Sequence, residues 1–122
     1  MAARFSSVQE YLESLGIDSV SSDKADTIRK ILSFVTNDFP GLEIKLAWNV
    51  PTIHKSGQYV VGVAAYKHHI TFSVFSKRVI QNHCALLESY KSFQNCFQIP
   101  VNWEMDEGLI RTLVAARLVE IA

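Results

Sequence analysis

The sequence predicts an α+β domain of two layers: an antiparallel sheet of about four strands covered by helices, in the order helix, helix, three strands, helix, strand, helix. Three observations predict it. The spacing of apolar residues changes from helical to alternating at Leu42, just after Pro40-Gly41. The strand-like runs that follow succeed one another with no helical crossover between them, the mark of an antiparallel sheet. A length of 122 residues, 48% hydrophobic and 20% charged, suits one domain over residues 1–122 that buries roughly two-thirds of its unfolded surface without a metal or a disulfide.

Ser7-Val8-Gln9-Glu10 has the form of a capping box, and Val8, Tyr11, Leu12 and Leu15 recur at helical spacing up to Gly16. Ser21-Ser22-Asp23 offers a second cap, after which Ala25, Ile28, Leu32, Val35 and Phe39 form an apolar face. From Leu42 the alternation puts Ile44, Leu46 and Trp48 on one side of a strand and Glu43, Lys45, Ala47 and Asn49 on the other. Pro51 has no N–H, so this strand is expected to end or lie at an edge near Asn49-Val50-Pro51. Lys55-Ser56-Gly57-Gln58 is turn chemistry before the β-rich run Tyr59 to Tyr66, and Lys67-His68-His69 forms a hairpin tip before Ile70 to Val74. Val79 to Tyr90 reads as a third long helix with Ile80, Cys84 and Leu87 on one face. Phe93, Asn95, Phe97 and Ile99 read as one more strand, its apolar face broken by Asn95, and Asp106 caps a last helix over Glu107 to about Glu120. The apolar phases make Leu32, Val35, Leu46, Phe72, Leu113 and Val114 the expected core.

Twelve basic and twelve acidic residues cancel, which argues against a dedicated nucleic-acid binder. The charge is uneven, however: residues 42–78 hold one acid and five bases, and Lys45, Lys55, Lys67, Lys77 and Arg78 read first as solvated strand edges that guard against edge pairing, the alternative being a cationic surface beside Trp48, Tyr59 and Tyr66. No run reaches the ~20 apolar residues of a membrane span, and the start lacks the apolar core of a leader, so a cytoplasmic protein without membrane contact is expected. Cys84 and Cys96 have no Cys-x-x-Cys spacing and are expected to be reduced, mostly buried thiols. His68-His69 and His83-Cys84 are adjacent pairs whose side chains diverge, so no metal site is expected from spacing. No nucleophile elbow, phosphate loop or dinucleotide fingerprint occurs, and a catalytic role is not expected.

Trp48-Asn49-Val50-Pro51-Thr52, then Gly57, then Tyr66-Lys67-His68-His69-Ile70 resembles the small bacterial YdhG-like family of unknown function. The resemblance extends to Val8-Gln9-Glu10-Tyr11-Leu12 and to Leu113-Val114-Ala115-Ala116-Arg117, and so covers nearly the whole chain. It implies the same α+β fold. If the first strand twists before Pro51, Trp48 leaves the core and lines a cleft with Tyr66 and His68. The expected function is therefore non-catalytic binding of a small molecule or partner protein by Trp48, Asn49, Pro51, Tyr66, Lys67 and His68, with no cofactor; a second copy of the chain is a further candidate partner. His68, at the hairpin tip, is the histidine expected to face a ligand. Some family members are frataxin-like iron chaperones, which gives the alternative: iron held by surface carboxylates, with Glu10 and Glu13 the candidates. Against it, six acids in the first helical region are spread from Glu10 to Asp38 rather than clustered in a ridge.

Overall fold

The computed structural model describes residues 7–15 and 19–121; the expected helix stop at Gly16 lies outside the described residues. Helix α1 (Val8–Ser14) begins as its sequence dictates, with Ser7 Oγ accepting from the Glu10 backbone N–H at 3.1 Å. Helix α2 (Ser19–Asp38) starts earlier than the Ser21-Ser22-Asp23 cap implies. Helix propensity differs by only tenths of a kcal/mol for Ser and Asp, too little to stop a helix whose next four turns are fixed by packing. Its expected face is buried at Ala25, Ile28, Leu32 and Val35, joined by Ile31 and by Thr27, whose hydroxyl donates to the Val101 carbonyl at 2.7 Å.

The strands β1 (Glu43–Ala47), β2 (Val50–Lys55), β3 (Gln58–Ala65), β4 (Ile70–Val74) and β5 (Cys96–Ile99) pair antiparallel in chain order, one more strand than expected. The additional strand is β2, which the Pro51 argument hides. Pro51 pairs with Leu46 of β1, while the β2–β3 ladder begins only at Thr52, so the missing donor falls beyond the end of that ladder. Ile44 and Leu46 share the helix side, but β1 is an edge strand and leaves Ile44 exposed.

Beyond the sheet, the expected long helix breaks in two. Helix α3 (Lys77–Asn82) ends at His83, whose Nδ1 donates to the Val79 carbonyl at 2.7 Å, and a single 3₁₀ turn, Cys84–Leu87, follows. The His83 N–H donates to the same carbonyl at 3.2 Å, and the helix stops because the His83 backbone, at φ −118° and ψ 21°, leaves the helical region. Val79, Ile80 and Leu87 remain buried, but Cys84 is exposed rather than buried, and Cys96 is half-buried; both are free thiols. Phe93 and Asn95 precede the last strand and are exposed. Helix α4 (Glu107–Ile121) is capped as expected, with Asp106 Oδ1 accepting from the Leu109 N–H at 3.0 Å.

All helices that pack on the sheet lie on one side of it, over Ile53, Val61, Val63, Phe72 and Phe97, with Ile110, Leu113 and Val114 of α4 in the same core. No described helix is long and apolar enough to cross a membrane.

Candidate functional site

Among the described residues no helix lies on the second side of the sheet, and two local features of the sequence shape it. The first is the β1–β2 hairpin, closed by a two-residue loop in which Trp48 and Asn49 both have positive φ, 51° and 60°. This is the backbone of a type I′ turn, a loop that favours Asn and Gly because left-handed backbone crowds a Cβ. Trp48 therefore leaves the alternation of β1 and stands 78% exposed at the loop. The second is a bulge: His54 pairs with Tyr59 and Ile53 with Val61, so Val60 is extra and both Val60 and Val61 are buried. The bulge shifts the alternation by one residue and brings Tyr59 to the side of Gly62 and Ala64. Arg117, from the far side, holds the bulged strand by donating from Nε to the Tyr59 carbonyl at 3.0 Å.

The result is an aromatic rim over a floor of small residues. Trp48 meets Tyr59 edge-on at 5.5 Å and stacks on Phe75 at 6.4 Å with 24° between planes. Phe75 lies over Gly62, where an added Cβ would come within 3.5 Å of its ring. Trp48, Phe75 and Tyr66 border a cavity of about 160 Å³ whose floor includes Thr52, Gly62, Ala64, Thr71 and Ser73. Thr52 is buried and its hydroxyl donates to the Val50 carbonyl at 3.0 Å. Lys45 pairs directly across from Thr52, and its ammonium sits 4.8 Å from the centre of the Tyr59 ring.

At the end of β3 Tyr11 secures α1 to the sheet: its phenol oxygen accepts from the Ala65 N–H at 2.9 Å, a donor that β2 cannot serve because its ladder has ended. Burial pushes the Tyr11 hydroxyl above its ordinary range despite that bond. Cys96, cross-strand from Ser73, has its thiol pushed up by burial as well.

The residues expected at the site divide into three groups. Trp48 and Tyr66 line one cavity. Asn49 shares the turn with Trp48, whereas Pro51 pairs with Leu46 on the helix side and is buried. Lys67 and His68 are exposed at the β3–β4 hairpin tip, which is closed by the Tyr66 N–H on the His69 carbonyl at 2.8 Å, and neither lines the cavity. The imidazole that meets Tyr66 is that of His69, stacked at 5.1 Å and 16°. Tyr59, grouped from sequence with Trp48 and Tyr66 in the cationic strand region, joins the rim, and Phe75 and Gly62 complete the site without having been singled out as its parts. Glu10 and Glu13 are exposed one turn apart on α1, and Glu13 accepts from the Gln9 amide at 2.9 Å. Among the described residues no group of three or more His, Cys, Asp or Glu is gathered closely enough to hold a metal ion.

This geometry can be set beside known proteins. A DUF1801-family protein, YdhG, from Bacillus subtilis matches with a TM-score of 0.82 at 19% identity, over 92% of this chain and 88% of its own. The chain has the fold of a DUF1801 protein. The YdhG-like resemblance carried by the Trp48 and Tyr66 motifs thus points to the same fold as the three-dimensional comparison. An uncharacterized conserved protein from Lactobacillus casei ATCC 334 matches with a TM-score of 0.61 at 18% identity, over 93% of this chain and 91% of its own. A curated relative, the intracellular iron chaperone frataxin of Bacillus subtilis (strain 168), is 22% identical over 96 residues, 76% of either chain. No protein-family profile matches the sequence.

Proposed function

We propose that the chain is a non-catalytic binding module whose ligand seats on the open face of the sheet, between Trp48, Phe75 and Tyr66. The observation that carries this reading is the backbone at Trp48. A bulky aromatic residue occupies a left-handed position that costs roughly 1–2 kcal/mol for a residue with a Cβ, and the ring gained there is 78% exposed. Strain kept in order to expose an apolar ring is a feature of sites rather than of cores. Binding rather than catalysis is favoured because the described residues of the lining offer hydroxyls and aromatic rings but none of His, Cys, Asp, Glu or Lys, the side chains that most often move a proton. Of the residues expected from sequence, Trp48, Asn49 and Tyr66 remain in this reading, with Pro51 supporting the turn; Lys67 and His68 border it only through the hairpin that Tyr66 begins. Screening small ring compounds by amide NMR tests it. The expected hits move Thr52, Gly62, Ala64 and Thr71 and are lost in Trp48→Ala; hits that map to other surfaces overturn the reading.

A second reading is supported by the name of the curated relative: iron as cargo, held by Glu10 and Glu13. Anaerobic iron(II) titration separates the two, because cargo iron broadens the amides of α1 and leaves Gly62 and Ala64 sharp.

A further inference from the structure

We infer that the ligand of the open face is a single planar ring bearing one anionic group, with Lys45 as the residue that selects the charge. This deepens the binding reading above and rests on it. Size comes first: the cavity, at about 160 Å³, is close to the roughly 150 Å³ at which an apolar cavity in another protein takes up benzene, so one ring fits and a fused polycycle does not. Shape follows from the lining. The floor positions Gly62, Ala64, Thr71 and Ser73 are small and lie in one pleated surface, while Trp48, Tyr66 and Phe75 stand at its borders, an arrangement that receives a flat ring face-down or edge-to-face.

Charge is set by what surrounds the rim. Among the described residues no acid lines the cavity. Lys45 does not line the cavity but stands beside it: it pairs across from Thr52, which does, and its ammonium lies over Tyr59, the ring that meets Trp48. Lys45 takes part in none of the ion pairs of the described residues, which are Arg29–Asp26, Arg111–Asp38 and Arg117–Glu120. An ammonium parked on an aromatic face and unpaired with a carboxylate is free to turn toward an incoming anion, whereas a cationic ligand meets repulsion there.

The test compares benzoate, benzamide and benzylammonium, three single rings that differ chiefly in charge, by NMR titration of the Thr52, Gly62 and Ala64 amides and the Trp48 indole. Benzoate is expected to bind about two- to five-fold more tightly than benzamide at low salt, the range an exposed charge pair supports, with benzylammonium weakest and the preference shrinking as salt rises. Lys45→Met is expected to abolish the preference, with benzoate and benzamide binding alike in the variant, and Lys45→Arg to keep it. Equal binding of all three rings, or tightest binding of benzylammonium, overturns the assigned charge while leaving the site in place. If none of the three moves Gly62, Ala64 or the Trp48 indole, the site itself is wrong and the ligand class falls with it.

Discussion

Adjacent residues on the strands show how differently the two sides of this sheet are built. Phe72, Val63 and Val61 face the helices and are fully buried, while their chain neighbours Thr71, Ala64 and Gly62 face outward and are small. The helix side is filled with large side chains to the density of a core. The open side is left shallow, with its aromatic rings moved to the border by a hairpin turn at Trp48 and a bulge at Val60. The open face carries Lys45, Thr52, Thr71, Ser73 and Gln98, as a solvent-facing sheet does, and its concavity comes from the small residues in the middle and the rings at the edge. Stability should therefore reside on the helix side and recognition on the open side, and each substitution below probes that division.

The largest effect is expected where the helices pack. Phe72→Ala removes a fully buried ring that touches Phe97 at 5.3 Å between centroids, and should destabilise by about 3–5 kcal/mol. Leu32→Ala, on the facing helix, should lose about 2–5 kcal/mol for the same reason. Thr71→Ala, next to Phe72 but outward, should change stability by less than about 1 kcal/mol. Urea denaturation of the three variants checks the ordering, and a Thr71 effect equal to that of Phe72 would erase the distinction between faces.

Next comes the seam where α1 meets the sheet. Tyr11→Phe keeps the buried ring but leaves the Ala65 N–H without its acceptor, and an orphaned buried donor costs about 1–3 kcal/mol. Urea midpoints are the measurement, and a variant indistinguishable from the native chain would show that solvent reaches the end of β3.

A smaller, pH-dependent effect belongs to the contact between α3 and α4. Ser76 Oγ accepts from the Val79 N–H and donates to Glu120 Oε2 at 2.8 Å, and Arg117 adds a second contact to Glu120 at 3.2 Å. The Ser76 hydroxyl first, and Arg117 after it, hold the Glu120 carboxyl below its ordinary range. A carboxyl lowered on folding stabilises the folded state above its unfolded value, and that contribution is lost as pH falls through the lower folded value. Stability measured from neutral pH into the acid range should thus fall less steeply in Glu120→Gln than in the native chain. Parallel curves would remove Glu120 from the acid response.

What the sequence made legible follows from the range of the forces involved. The caps at Ser7 and Asp106, the Ser56-Gly57 turn and the apolar faces of α2 and α4 are set by residues within a few positions of one another, and all read correctly. Strand β2 did not, because whether Pro51 harms a ladder depends on where pairing with β3 starts, a fact of register between distant segments. The break at His83 was hidden because an apolar spacing of three and four continues across it, while the change of backbone at His83 leaves no trace in that spacing. At the site, Trp48 and Tyr66 could be paired from their residue types, but Tyr59 and Phe75 reach the same face through a bulge and a strand exit that local alternation does not encode. His69 rather than His68 stacks on Tyr66 because the hairpin tip, unlike a strand, does not preserve alternation.

The smallest expected change in stability is also the most informative. Trp48→Asn places in the β1–β2 turn a residue that accepts left-handed backbone, relieving roughly 1–2 kcal/mol of crowding. The same change removes the contacts of Trp48 with Tyr59 and Phe75, each worth about 0.5–1.5 kcal/mol for aromatic pairs and less where the ring is as exposed as this one. The two terms oppose, so the urea midpoint should move by no more than about 1 kcal/mol in either direction. Trp48→Ala loses the contacts without the relief, and should sit below Trp48→Asn by about 1 kcal/mol. Both variants should lose ring binding on the open face. If instead Trp48→Asn destabilises by more than about 2 kcal/mol, the indole is a packing residue, the strain at its φ of 51° is offset by the fold itself, and the exposed ring no longer marks a site.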